Sequence, residues 1–201
     1  IILSYAHAVL KMSMVQVRCA TMLNRLINAI RPINFMWLGL SVFAILLDQW
    51  TKNLASTHLV YGEAKPVVPY LDWTLLHNHG AAFSFLSDAG GWQRYLFTGL
   101  AAVVSVIFIG WLLRLPKHSS ILAAGIALVL GGAVGNLIDR VSLGYVVDFI
   151  SVYYNNHYFP AFNIADSAIT LGTIFLIIDM LFLDKIRQGK NNAQQDSELN
   201  S

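Results

Sequence analysis

Four long apolar runs divide the chain: Ile33 to Trp50, Trp92 to Leu113, Ser120 to Ile138 and Ile164 to Leu183. Each approaches the roughly 20 residues that a helix needs to cross a hydrocarbon core. Helices are the single-segment structures that satisfy every backbone polar group in lipid, so the pattern predicts four membrane-spanning helices. Between the first two runs, Pro66 and Pro69 precede the stretch from Trp73 to Leu76, whose aromatic and β-branched residues predict a small sheet or platform outside the membrane. The connector from Gly144 to Phe162 is rich in tyrosine and phenylalanine, and such rings suit the membrane interface. Gly131 and Gly135 are four apart in the third run and predict close helix contact.

The ends read differently. Residues 1–21 carry an apolar stretch that Lys11 cuts short, and Met22 is a second plausible start; this segment is expected to be an extension without function. One membrane domain is expected over residues 22–184. A polar tail, expected to be disordered and cytoplasmic, covers 185–201.

Composition supports the membrane reading. Of 201 residues, 56% are hydrophobic and only 12% charged, about half the charged share usual in a soluble domain. A net charge of +2 without a dense basic run gives no reason to expect a nucleic-acid partner. Cys19, the single cysteine, excludes an intramolecular disulfide. Lysine and arginine set the orientation. Eight (Arg18, Arg25, Arg31, Arg114, Lys117, Lys185, Arg187, Lys190) flank the spans on the side of the termini, against four (Lys52, Lys65, Arg94, Arg140) on the other. Both termini are therefore expected in the cytoplasm.

This topology collects four acids at the outer level of the membrane: Asp48, Asp139, Asp148 and Asp166. Acids at helix ends are ordinary, but each of these interrupts an apolar stretch within a polar motif. Asn136 and Asp139 are three apart, as are Asn163 and Asp166, so on helices each pair shares a face. Two carboxylates in a poorly hydrated site tend to share one proton. That state suits amide hydrolysis: the ionised partner takes a proton from water while the protonated partner serves the carbonyl and the leaving amine. No metal, cofactor or covalent nucleophile is required. His77 and His79 flank Asn78 without an evident third ligand, and Ser84 and Ser167 lie outside any nucleophile elbow. A small transporter or proton conductor is the main alternative, although a relay should spread its acids through the membrane depth. An assembly subunit whose polar residues bind neighbouring helices is a second.

Five segments in order, DQWTK (48–52), NHGAAF (78–83), GGAVGNLIDR (131–140), VDF (147–149) and FNIAD (162–166), resemble the lipoprotein signal peptidase family, signal peptidase II, over residues 30 to 185. The resemblance implies an aspartic endopeptidase that removes the signal peptide from bacterial prolipoproteins in the inner membrane, cutting before a cysteine that carries diacylglycerol. It implies Asp148 and Asp166 as the catalytic pair and Asn136, Asp139, Arg140 and Asn163 as residues that shape the site. Asn78 and Gly80 would contact substrate, and Asp48 and Lys52 would support the first span. Beyond substrate and membrane lipid, no obligate partner is implied.

Overall fold

The computed structural model describes residues 32–80, 91–116 and 119–183. The expected N-terminal extension and polar tail lie outside the described residues, as does Ser84. A short turn, Pro32–Asn34, leads into α1 (Phe35–His58). Strands β1 (Lys65–Val68) and β2 (Leu71–Asn78) follow. Helices α2 (Trp92–Arg114) and α3 (Ser120–Ser142) are consecutive. After β3 (Val146–Tyr154) and β4 (His157–Tyr158), α4 (Ile164–Ile178) closes the fold and continues as a wider turn over Asp179–Leu183.

The four helical segments all have the length and apolar character to cross a membrane. Half of the hydrophobic window of α3 is buried, against 11–22% in the other three, so α3 is the hub. Outward-facing Phe43, Val106 and Met180 are more than 60% exposed, as side chains that meet lipid should be. Glycines set the packing around the hub. A methyl group added to Gly131 would come within 2.8 Å of the Ala44 side chain on α1, and one on Gly132 would strike the Ala165 carbonyl on α4. The expected Gly131–Gly135 pair thus faces α1, and Gly132 beside it admits α4.

One expectation needs correction. The first span was expected to end at Trp50, but α1 runs on to His58, so Asp48 and Lys52 stand one turn apart inside a continuous helix. Lys52 finds partners on α3 and Asp48 finds one on α4, which leaves no reason for the helix to stop. The connector between the third and fourth spans forms two strands, which join the platform in one antiparallel sheet ordered β1-β2-β3-β4. Val146, Val147, Phe149, Ile150 and Val152 supply β-branched and aromatic residues suited to a pleated surface.

The sheet is anchored at the bundle's end. Only three residues separate α3 from β3, and Asn78 at the end of β2 pairs with Val146 at the start of β3. Backbone bonds from Phe149 and Ile150 to the Phe162 carbonyl tie β3 to the segment entering α4.

Candidate active site

Asn163 organises the centre. It is fully buried, extended in backbone, and caps α4 by accepting the Asp166 amide at 2.9 Å. The Asp166 carboxylate returns a bond from the Asn163 amide at 3.3 Å, closing a capping box. With its side-chain oxygen committed to the helix, the Asn163 amide nitrogen reaches outward. It donates to Asp148 at 2.7 Å, to the Val147 carbonyl at 3.2 Å and to Asn136 at 3.3 Å. One residue therefore holds both acids of the expected pair, Asp166 through the helix cap and Asp148 through its amide.

Each acid has a second amide partner. Asn78, at the end of β2, donates to the other oxygen of Asp148 at 3.0 Å and accepts the Gly80 amide at 2.9 Å. Asn136 on α3 donates to Asp166 at 2.8 Å. The Asn136 oxygen in turn accepts from the Lys52 ammonium at 2.9 Å. An ammonium can only donate, so the amide orientation is fixed.

Below this layer lies a buried ionic knot. Lys52 is 2.8 Å from Asp48 and 3.0 Å from Asp139. A buried charge of this kind is tolerated only when paired and fully hydrogen-bonded. Asp48 also accepts the Ala165 amide in the first turn of α4 at 2.8 Å, where free N–H groups favour an acceptor. Asp139 accepts the Val147 amide at 3.1 Å, joining the end of α3 to β3. Gln49 completes the knot. Its amide donates to Asp139 at 2.9 Å and to the Gly135 carbonyl at 3.1 Å. Sequence reasoning passed over Gln49, although it stands inside the DQWTK segment.

Arg140 donates to the Gly80 carbonyl at 3.1 Å, and its guanidinium lies 5.6 Å from the centre of the Phe97 ring. It thereby secures the turn after β2 against α3. Of the residues expected at the site, Asp148, Asp166, Asn78, Gly80, Asn136, Asp139, Arg140, Asn163, Asp48 and Lys52 all enter this one connected network. His77 stacks on Tyr145, with ring centres 3.9 Å apart. The Ser167 hydroxyl donates back to the Asn163 carbonyl at 3.0 Å.

The chemistry follows from unequal surroundings. Asp148 is buried on a strand, and burial, followed by the nearby charge of Asp166, pushes its carboxyl up to about 7. The amides of Asn78 and Asn163 and the charge of Lys52 oppose that rise. Asp166 is half-buried and occupies the first turn of a helix, a favourable place for a carboxylate. Near neutral pH the Asp148 carboxyl retains a proton to donate. It also lines an open cavity of about 600 Å³ beside Asn78, bounded by the sheet and by Tyr61 and Pro160. The arrangement is two acids held by amides, of which Asp148, with a proton to give, stands at the wall of a cavity.

Residues 40–182 match the family model described as signal peptidase (SPase) II. The lipoprotein signal peptidase of Acinetobacter baylyi is 68% identical over 165 residues, covering 82% of this chain and 92% of that protein. That of Teredinibacter turnerae is 55% identical over 150 residues, covering 75% and 89%. A solved bacterial membrane enzyme, determined by the in meso method at 2.3 Å, superposes with a TM-score of 0.66 at 33% identity, covering 73% of this chain and 87% of that one. The shared sequence spans the helices and strands that build the carboxylate network, and the chain belongs to the signal peptidase II family of aspartic peptidases.

Proposed function

We propose that this multi-pass membrane protein cleaves signal peptides from diacylglyceryl-modified bacterial prolipoproteins, with Asp148 and Asp166 as its catalytic pair. The observation that carries the reading is the joint hold of Asn163 on both acids, beside an open cavity. The peptidase unit is taken as residues 22–184, with both termini in the cytoplasm and the site near the outer face of the inner membrane.

In this mechanism Asp166 is the base and Asp148 the acid. Water attacks the scissile carbonyl carbon as Asp166 accepts one of its protons. Asp148 donates its proton to the carbonyl oxygen, giving a neutral gem-diol. Asp166 then returns a proton to the amide nitrogen, the carbon–nitrogen bond breaks, and a diol proton goes back to Asp148 as the new acid forms. The Asn136 and Asn163 amides hold the carboxylates in place, so the geometry is set before substrate arrives. A site at the membrane's outer level suits a substrate whose signal helix and acyl chains both stay in the bilayer.

The test is incubation of the reconstituted protein with a diacylglyceryl-modified prolipoprotein, with Asp166→Asn in parallel. Loss of the signal peptide with the unaltered protein alone supports the reading. No cleavage by folded protein, under conditions where a relative is active, rejects it.

A further inference from the structure

Both acids take their side-chain amide partners from β2, α3 and the entry to α4. Helix α2 reaches the same network by another route, through Arg140 in the last turn of α3. Arg94 and Phe97 are three apart in the first two turns of α2, so they share a face of that helix. Arg94 takes the backbone end of Arg140. Its Nε donates to the Arg140 carbonyl at 2.9 Å and its Nη2 to the Val141 carbonyl at 3.2 Å. These carbonyls close α3, where a helix has acceptors to spare and favours a cation. Phe97 takes the other end, with its ring centre 5.6 Å from the guanidinium carbon, within reach of cation–π attraction.

Gly144 leaves room for this grip. It turns the chain out of α3 at a φ of 91°, and a methyl group there would come within 2.9 Å of Arg94 Nη1. The Arg140 side chain passes the hold onward. Its Nη2 donates to the Gly80 carbonyl at 3.1 Å, and the Gly80 amide donates to Asn78 Oδ1 at 2.9 Å. The Asn78 amide in turn donates to Asp148 at 3.0 Å. A path of direct contacts thus runs from Phe97 through Arg140, Gly80 and Asn78 to Asp148.

Resting on the peptidase reading, we propose that Arg94 and Phe97 are positioning residues that hold Arg140 at its two ends and so keep the Asn78 turn set against Asp148. The backbone bonds fix where the Arg140 side chain starts, and the ring fixes where its guanidinium lies. Released from either, a long side chain regains rotamer freedom and the Gly80 turn loses its anchor. Helix α2, the least buried of the four spans, then serves the site as well as the lipid.

The experiment measures kcat/KM on a diacylglyceryl-modified prolipoprotein for Phe97→Leu, Phe97→Tyr, Arg94→Met and the double variant carrying both Phe97→Leu and Arg94→Met. Phe97→Leu stays apolar but loses the ring face, and should lower kcat/KM about tenfold, whereas Phe97→Tyr keeps the face and should stay within about twofold. Arg94→Met loses the bonds to the helix-end carbonyls and should also cost about tenfold. Since both act through Arg140, the double variant should lose little more than either single one. Equal activity of the Leu and Tyr variants would overturn the role of the ring. A double variant whose loss is the product of the two single losses would overturn the joint hold. Should a variant not fold, Phe97→Met or Arg94→Gln takes its place under the same outcomes. Failure of the unaltered protein to cleave would instead reject the peptidase reading itself, which separates the two ideas.

Discussion

Lys52 and Asp166 are joined through one amide: Asn136 accepts from the lysine at 2.9 Å and donates to the aspartate at 2.8 Å. The ammonium on α1 thus dictates which end of the amide faces the acid on α4. The same ammonium pairs with both Asp48 and Asp139 from a position only 4% exposed. Lys52→Met would strand two buried carboxylates and release the Asn136 amide. A loss of about 3–5 kcal/mol is expected, the scale for breaking a buried ion pair by removing one partner. Thermal unfolding in detergent measures it, and a midpoint within a degree of the unaltered protein would show that the knot carries no stability.

Asp148→Asn and Asp166→Asn should each lower cleavage by at least on the order of 10²-fold, since each removes one proton-transfer group. Helical content and detergent elution should stay unchanged. Near-normal turnover by either folded variant would remove that residue from the mechanism.

Activity should fall on the alkaline side. The acid role requires the proton on Asp148, whose carboxyl is pushed up to about 7 by burial and by Asp166. Below that value the proton is held, and above it the proton is lost, so kcat/KM should drop about tenfold per pH unit well beyond the turn. The Asn78 amide opposes the rise, so Asn78→Leu should move this limb to higher pH. A limb that stays in place in the variant, or runs flat from pH 6 to 9 in the unaltered protein, would contradict the assignment.

Orientation is open to chemical labelling. Glu63 is exposed between α1 and β1, at the sheet end of the molecule. A cysteine there should react with an impermeant reagent from outside the cell, whereas one replacing Lys190 should not. The reverse pattern would invert the topology.

The spans were legible because lipid leaves so few choices: a long apolar run is a helix or nothing stable. Polar segments were harder to read. Asp48 to Lys52 looked like the end of a span because hydropathy registers cost without registering partners, and the partners sit some 90 residues away on α3. Gln49 was overlooked for the same reason. The strand from Val146 to Tyr154 was hidden by its tyrosines, which fit an interfacial segment as well as a sheet. The spacing of Asn163 and Asp166 suits neighbours on one helical face. Their spacing is equally that of a capping box, and the extended backbone of Asn163 settles which one forms. The pairing of Asp148 with Asn78 depends on the β2–β3 register, and a bulge between Trp73 and Leu76 shifts that register in a way spacing alone does not reveal.

The bond from the Ala165 amide to Asp48 joins the first helix of the bundle to the last, 117 positions apart. A chain delivered to the membrane from its N-terminus presents Asp48 and Lys52 long before that amide exists. Asp166 arrives in the same turn of helix that completes the knot. A partly inserted chain therefore lacks both this bond and half of the acid pair proposed above, so on that proposal proteolytic competence waits on the fourth helix.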